Sequence, residues 1–151
     1  MNGAADIRVV VAAGDFDVAA EAARLEAGAD VGAVVTFLGR VRDVADGLER
    51  MEIEHYPGMT ERALEGIARD AAGRWPLAGV TVVHRHGTLR PGDRIMMVAT
   101  ASRHREAAFE AAAFLMDYLK SRAPFWKKEV TAGGAAWVAS AEKDEDALGR
   151  W

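Results

Sequence analysis

Residues 104 to 122, HREAAFEAAAFLMDYLKSR, contain no glycine or proline and stop just short of Pro124. Such a run predicts one long α-helix of about five turns. At roughly 100° per residue, Glu106, Glu110 and Asp117 share one narrow polar arc, and most other positions are apolar. A helix of this kind must be covered on more than one side, by a sheet, a second helix or another subunit. Two cations break the pattern. Arg105 and Lys120 fall in the arc that holds Phe109, Ala112 and Met116. Near helix ends, long side chains can snorkel, and Lys120 can complement the C-terminal dipole. Alternatively each cation faces a cleft and awaits an anion, since an unpaired buried charge is costly. Fifteen residues separate the two by roughly 22 Å along the axis, too far to grip one small ligand. A single site that uses both therefore needs two chains.

The remaining segments predict strands and helices in mixed order. Residues 7–13, IRVVVAA, form a β-branched run, and the alanine-rich helix that follows has Asp15 or Asp17 as cap and Gly28 to end it. Residues 32–42 and 49–56 have strand composition, and DVADGL between them suggests a hairpin. Thr60 is placed to cap a helix with Leu64, Ile67, Ala68 and Ala71 on one face, stopped by Pro76. GVTVVHRHGTL and DRIMMVATAS, joined through RPGD, are expected to pair antiparallel. WKKEVTAGGAAWVAS reads as a terminal hairpin turning at Gly133 and Gly134. Hairpins interleaved with helices indicate an α+β fold over a doubly wound sheet, and residues 1–151 fit one domain.

Half the residues are apolar, enough for a core, and the formal charge of −4 argues against a general nucleic-acid binder. No apolar run approaches the roughly 18 residues of a membrane span, and the first residues lack an export signal, so a cytoplasmic protein is expected. Without cysteine the chain has no thiol nucleophile and no thiolate metal site. Cations cluster instead at element ends: Arg40 with Arg42, His84 to His86, Arg103 to Arg105, and Lys127 with Lys128. Clusters of this kind suit a phosphate or carboxylate, although on charge alone solvated surface is the stronger reading of any one of them. His84 and His86 share a strand face, but no third metal ligand stands near them, and no metal or cofactor is expected. No phosphate-binding glycine loop, GxSxG elbow or HExxH helix is present.

GAVVTFLGRVR, IEHYPGMTERAL, RWPL, VVHRHGTLRPGD, SRHREAAFEAAAFLMDYLKSRAPFWKKE and the final GRW together resemble the large subunits of molybdopterin synthases, colinearly from about residue 7 to the end. The resemblance implies an α/β hammerhead with antiparallel sheet elements around a long buried helix. It implies a dimer of large subunits, each binding a small ubiquitin-like carrier with a C-terminal Gly-Gly thiocarboxylate. It also implies sulfur transfer from that carrier to cyclic pyranopterin monophosphate, building a dithiolene in two rounds.

By the same resemblance Lys120 and Lys127 are the catalytic pair, and Arg40, Val41 and Arg42 form the substrate loop. Lys128 and Glu129 extend the site. His104 and Arg105 are supplied by the adjacent large subunit. Arg40 stands where the family carries lysine, and DVADGL is shorter than the family's loop. On chemical grounds Arg42, His104 and Arg105 suit the cyclic phosphate, and a desolvated Lys120 suits oxyanion stabilisation, proton transfer or a covalent link to the carrier. A second reading of the same surface is a non-catalytic dimeric scaffold that holds an acidic partner tail.

Overall fold

The computed structural model describes residues 4–45, 47–138 and 142–151. Among these residues eight strands form two four-stranded sheets. The first orders as β1 (Asp6–Ala12), β4 (Leu77–Arg85), β6 (Arg94–Ser102) and β2 (Ala33–Arg40). The second orders as β5 (Gly87–Leu89), β3 (Leu48–His55), β7 (Phe125–Thr131) and β8 (Gly134–Trp137). Among the described residues only β1 and β4 run parallel and every other pairing is antiparallel, as the α+β expectation requires.

Period-two alternation explains why the first sheet is covered on both faces. Val80 and Val82 of β4, with Met96 and Val98 of β6, point to α2 (Met59–Arg74) and α3 (Arg105–Arg122), where they meet Leu64, Ala68, Phe114 and Leu115. Val83, Met97, Ala99 and Ala101 point the other way, to Leu25 of α1 (Val18–Leu25). Thr100, buried under α3, donates its hydroxyl to Ala108 O at 2.7 Å, so its polar atom is satisfied where the strand crosses the helix.

The polar arc of α3 turns out to bind aromatic side chains. Glu110 accepts from Trp75 Nε1 at 2.7 Å, and Asp117 accepts from Trp151 Nε1 at 2.7 Å. Trp75 and Trp151 pack edge-on to Phe114, with centroids at 5.3 and 5.7 Å. Arg74 donates to Trp151 O and Arg150 pairs with Asp117, so the chain end is seated on α2 and α3. This anchor leads α4 (Glu142–Ala147) past the C-terminal end of α3, where Arg122 meets Glu145 at 2.9 Å.

Three local expectations are corrected. β2 and β3 do not form a hairpin: β2 pairs with β6 and β3 pairs with β5 and β7, so their connection crosses between sheets. Asp43 holds that connection by accepting from Val44 N and Leu48 N, and Asp46 lies outside the described residues. GVTVVHRHGTL is not one strand. It breaks at His86, and Gly87, at φ 93°, lets β5 leave β4 for the second sheet. Thr60 is not the cap of α2. Gly58 holds that position, its N–H donating to the Glu61 carboxylate at 2.6 Å, while the buried Thr60 hydroxyl bonds both the N–H and the carbonyl of Tyr56.

Elsewhere the pattern is close. Asp17 caps α1 through Ala20 N, and α1 ends at Leu25 with Gly28 in the turn beyond. β7 and β8 form the terminal hairpin, whose predicted last residues Ala139 and Ser140 lie outside the described residues. Gly32 supplies a packing test. A Cβ there would sit 2.3 Å from Arg103 O, at the entry to α3. Gly32→Ala is expected to cost about 1–3 kcal/mol in chemical denaturation, because backbone rather than a flexible side chain must move.

Candidate active site

Four cations that make no ion pair among the described residues gather where the end of β2, the last turns of α3 and the start of β7 converge. There a cleft of about 470 Å³ is lined by Arg40, Arg42, Lys120 and Lys127, with Asp144 of α4 on one wall. Phe37, Met96, Met116 and Phe125 supply apolar surface between the charges.

Each cation is presented by a different device. The β2 edge is irregular between Gly39 and Arg40, and the following loop is pinned by Val41, whose N–H donates to Asp93 O and whose carbonyl accepts from Gly92 N, both at 2.8 Å. Val41 is itself buried and does not line the cleft. Its anchoring places Arg40 and Arg42 on either side. Arg40 donates through Nε and Nη2 to Gly92 O at 3.3 and 3.2 Å, which fixes the plane of its guanidinium. Gly92 sits at φ 92°, a conformation that a side chain would strain. Arg42 is exposed and makes no ion pair or side-chain hydrogen bond among the described residues.

Lys120 stands exposed on the last turn of α3, next to the buried Leu119. Lys127 comes from β7, and strand alternation aims it with Phe125 into the cleft. Burial pushes the Lys127 ammonium below the ordinary lysine range, the neighbouring Lys120 charge pushes it further, and Asp144 opposes. The same alternation sends Lys128 to the opposite face, where its Nζ lies 3.4 Å from Glu52 and 5.0 Å from the Trp137 ring. Glu129 pairs with Met51 and Ala136 and does not line the cleft. The structure thus gathers Arg40, Arg42, Lys120 and Lys127, and leaves Val41, Lys128 and Glu129 outside. His104 and Arg105 begin α3, at the end of the helix away from Lys120; His104 lines a separate hollow with Arg103, Asp30 and Pro76.

His84 and Asp144 are cleft residues that motif reading did not assign to the site. His84 Nδ1 lies 2.7 Å from Arg85 O, so that nitrogen carries the proton. The ring stacks on Phe125 with centroids 3.7 Å apart. Burial, partly offset by the Arg85 bond and reinforced by Lys127, lowers its pKa to about 3. His86, expected on the same face, packs instead against His55, its ring tilted by 42° with centroids 4.3 Å apart, and His55 bonds Thr60 through Nδ1. Among the described residues no group of three His, Cys, Asp or Glu side chains is placed to hold a metal ion. The signal for His84 was its place on a mostly buried strand. Asp144 gave none, because only the seating of Trp151 brings α4 to the cleft.

Two sheets meeting a long helix over a cationic, partly apolar cleft define the class: an α+β protein built to take a small anion or a carboxylate tail. Comparison with known proteins makes the class particular. The family model described as MoaE protein matches residues 11–122. A molybdopterin synthase catalytic subunit from Cereibacter sphaeroides is 64% identical over 146 residues, covering 96% of this chain and all of the relative. The solved MoaE protein of molybdopterin biosynthesis from Burkholderia ambifaria is 51% identical, with a TM-score of 0.82 over 97% of both chains. A protein complex of subunits 1 and 2 of molybdopterin-converting factor from Helicobacter pylori, 20% identical and covering 87% of this chain and 89% of that one, shares the fold at a TM-score of 0.71. The chain belongs to the MoaE family.

Proposed function

We propose that this chain is the catalytic subunit of a molybdopterin synthase, acting in the cytoplasm on molybdenum-cofactor biosynthesis as one domain. It moves sulfur from the thiocarboxylated C-terminal glycine of a small ubiquitin-like carrier onto cyclic pyranopterin monophosphate. The observation that carries the reading is the convergence of Lys120 and Lys127, from separate elements, on one cleft that Arg40 and Arg42 also line. Family membership supports the activity, and the named catalytic subunits among its relatives support a partner subunit.

The residues divide the work by chemistry. Guanidinium forks match phosphate oxygens, so the unpaired Arg42, with Arg40 held against Gly92, takes the phosphate end of the substrate. Attack by the thiocarboxylate sulfur on an oxygen-bearing substrate carbon forms the C–S bond of an acyl thioester as that carbon's C–O bond breaks, the oxygen leaving with a proton as water or, where it is esterified, with the phosphate. Water then cleaves the acyl–sulfur bond, leaving sulfur on the substrate, a carboxylate on the carrier and two protons. Lys120 and Lys127 stabilise the oxyanion of that cleavage and carry protons, and a second round installs the second sulfur. No cofactor is needed, since the sulfur arrives on the carrier. His104 and Arg105 belong to the site of a second copy of the chain, because about four helical turns separate them from Lys120.

The test is reconstitution with thiocarboxylated carrier and cyclic pyranopterin monophosphate, read as dithiolene product. Wild type is expected to turn over. Arg42→Ala is expected to raise KM about tenfold or more with a smaller change in kcat, as loss of a charge-assisted bond made in ground and transition states alike requires. A chain that binds carrier but yields no product is the scaffold of the alternative reading.

A further inference from the structure

The cleft has an imbalance that its charges do not explain. Arginine and lysine side chains donate hydrogen bonds and accept none. Apart from the weakly accepting methionine sulfurs, the described cleft side chains with an acceptor atom are Asp144 and His84. A phosphate is satisfied by the four cations. A fused-ring heterocycle bearing N–H groups is not, because its edge needs acceptors in a wall that otherwise offers donors and apolar surface.

His84 is built as such an acceptor. Its Nδ1 proton is committed to Arg85 O at 2.7 Å, which leaves a lone pair on Nε2. His84 lines the cleft, and among the described residues its ring bonds through Nδ1 alone. The stack on Phe125 at 3.7 Å and 14° fixes the ring plane, and residue 84 is itself 5% exposed. Phe125 and Met96 lie in the same part of the lining and give the faces of a flat ring an apolar seat. Burial of the imidazole keeps it neutral, so the lone pair is not lost to a proton near neutral pH.

We propose that His84 Nε2 accepts a hydrogen bond from a ring N–H of the substrate and so sets which end of the substrate meets Lys120 and Lys127. His84 is on this account a specificity-determining residue: the arginines read the phosphate, and the imidazole reads the heterocycle. The inference rests on the substrate assignment proposed above, and the test separates the two.

The experiment is calorimetric titration of wild type, His84→Phe and His84→Gln with two ligands, cyclic pyranopterin monophosphate and inorganic phosphate. Phenylalanine keeps a flat ring against Phe125 and removes the acceptor; glutamine restores an acceptor oxygen. His84→Phe is expected to weaken the pterin ligand about tenfold while leaving phosphate binding unchanged, and His84→Gln to recover most of the loss. Equal weakening of both ligands, or wild-type affinity for the pterin in His84→Phe, would overturn the proposal. A measurement on unaltered protein guards against a variant that does not fold. The ¹⁵N resonance of His84 Nε2 is expected to move on adding the pterin ligand and to stay on adding phosphate. An unmoved resonance in both titrations sinks the inference while a bound pterin leaves the substrate assignment standing. If wild type binds phosphate and no pterin, the substrate assignment itself fails.

Discussion

Lys127→Ala is expected to lower turnover in the reconstituted sulfur transfer by about 10²–10³-fold, with carrier and substrate saturating. Lys127 is the half-buried cation of the cleft, and its ammonium is destabilised by burial and by Lys120. An amine in that setting gives up its proton more readily than a free lysine, which suits it to proton transfer. Lys127→Arg separates the roles. Arginine keeps the charge but cannot deprotonate, so it rescues an electrostatic function and fails an acid–base one. Wild-type turnover in Lys127→Ala would remove the residue from the mechanism.

Lys120→Ala carries a second signature. The Lys120 charge is one of the causes that lower the Lys127 pKa, so removing it raises that pKa. Activity should therefore fall and the Lys127 limb of the kcat–pH profile should move to higher pH. A lowered rate with an unmoved limb would mean that the two lysines act independently.

The long helix and the cations at its ends were legible because both are local. Eighteen residues without a breaker make α3 wherever they are placed, and period 3.6 exposes Lys120 as a charge in the wrong arc. The pairing of β4 with β6 through RPGD was legible for the same reason. Strand partners distant in sequence were not. The composition of β2 says strand, but nothing in residues 43–48 tells whether the next strand returns beside it; that is decided by β7, which occupies an edge of β3 some 70 residues later. Thr60 was misread because a threonine before a helical pattern is a good cap, and only the turn at Gly58, with its positive φ, moves the start two residues earlier.

In the site, alternation along β7 could have excluded Lys128 from the cleft, since neighbours on a strand cannot both face it. His84 was hidden by a different cause. A histidine two residues from another on a strand suggests a metal, and only the turn at Gly87 shows that the two side chains serve different neighbours. Asp144 depends on packing of the chain end, which no local pattern encodes.

That buried histidine also sets how the fold answers to acid. Its pKa of about 3 in the folded chain lies below the value of 6.5 that it recovers on unfolding. Between those values the unfolded chain binds the proton and the folded chain does not, so stability rises with pH. The contribution is complete above about pH 6.5 and is lost progressively as the pH falls toward 3, at about 1.4 kcal/mol per unit. Other groups around His84 act through their charge: Lys127 from β7, His55 from β3 and His86 beyond β4 all disfavour its protonation.

Asp15, Asp43, Glu52 and Glu61 have lowered pKa values too, held by hydrogen bonds from backbone N–H groups or from Arg50, but their contribution is lost only in the carboxylate range. The two causes are therefore separable by pH. Urea titrations of wild type at pH 7.5, 6 and 5 should show the midpoint falling before any carboxylate titrates. His84→Phe should flatten that slope between pH 6.5 and 5 and keep the steeper loss below it. A wild-type midpoint constant from pH 7.5 to 5 would mean that the imidazole takes up a proton in the folded chain, and with it that Nε2 is no acceptor there.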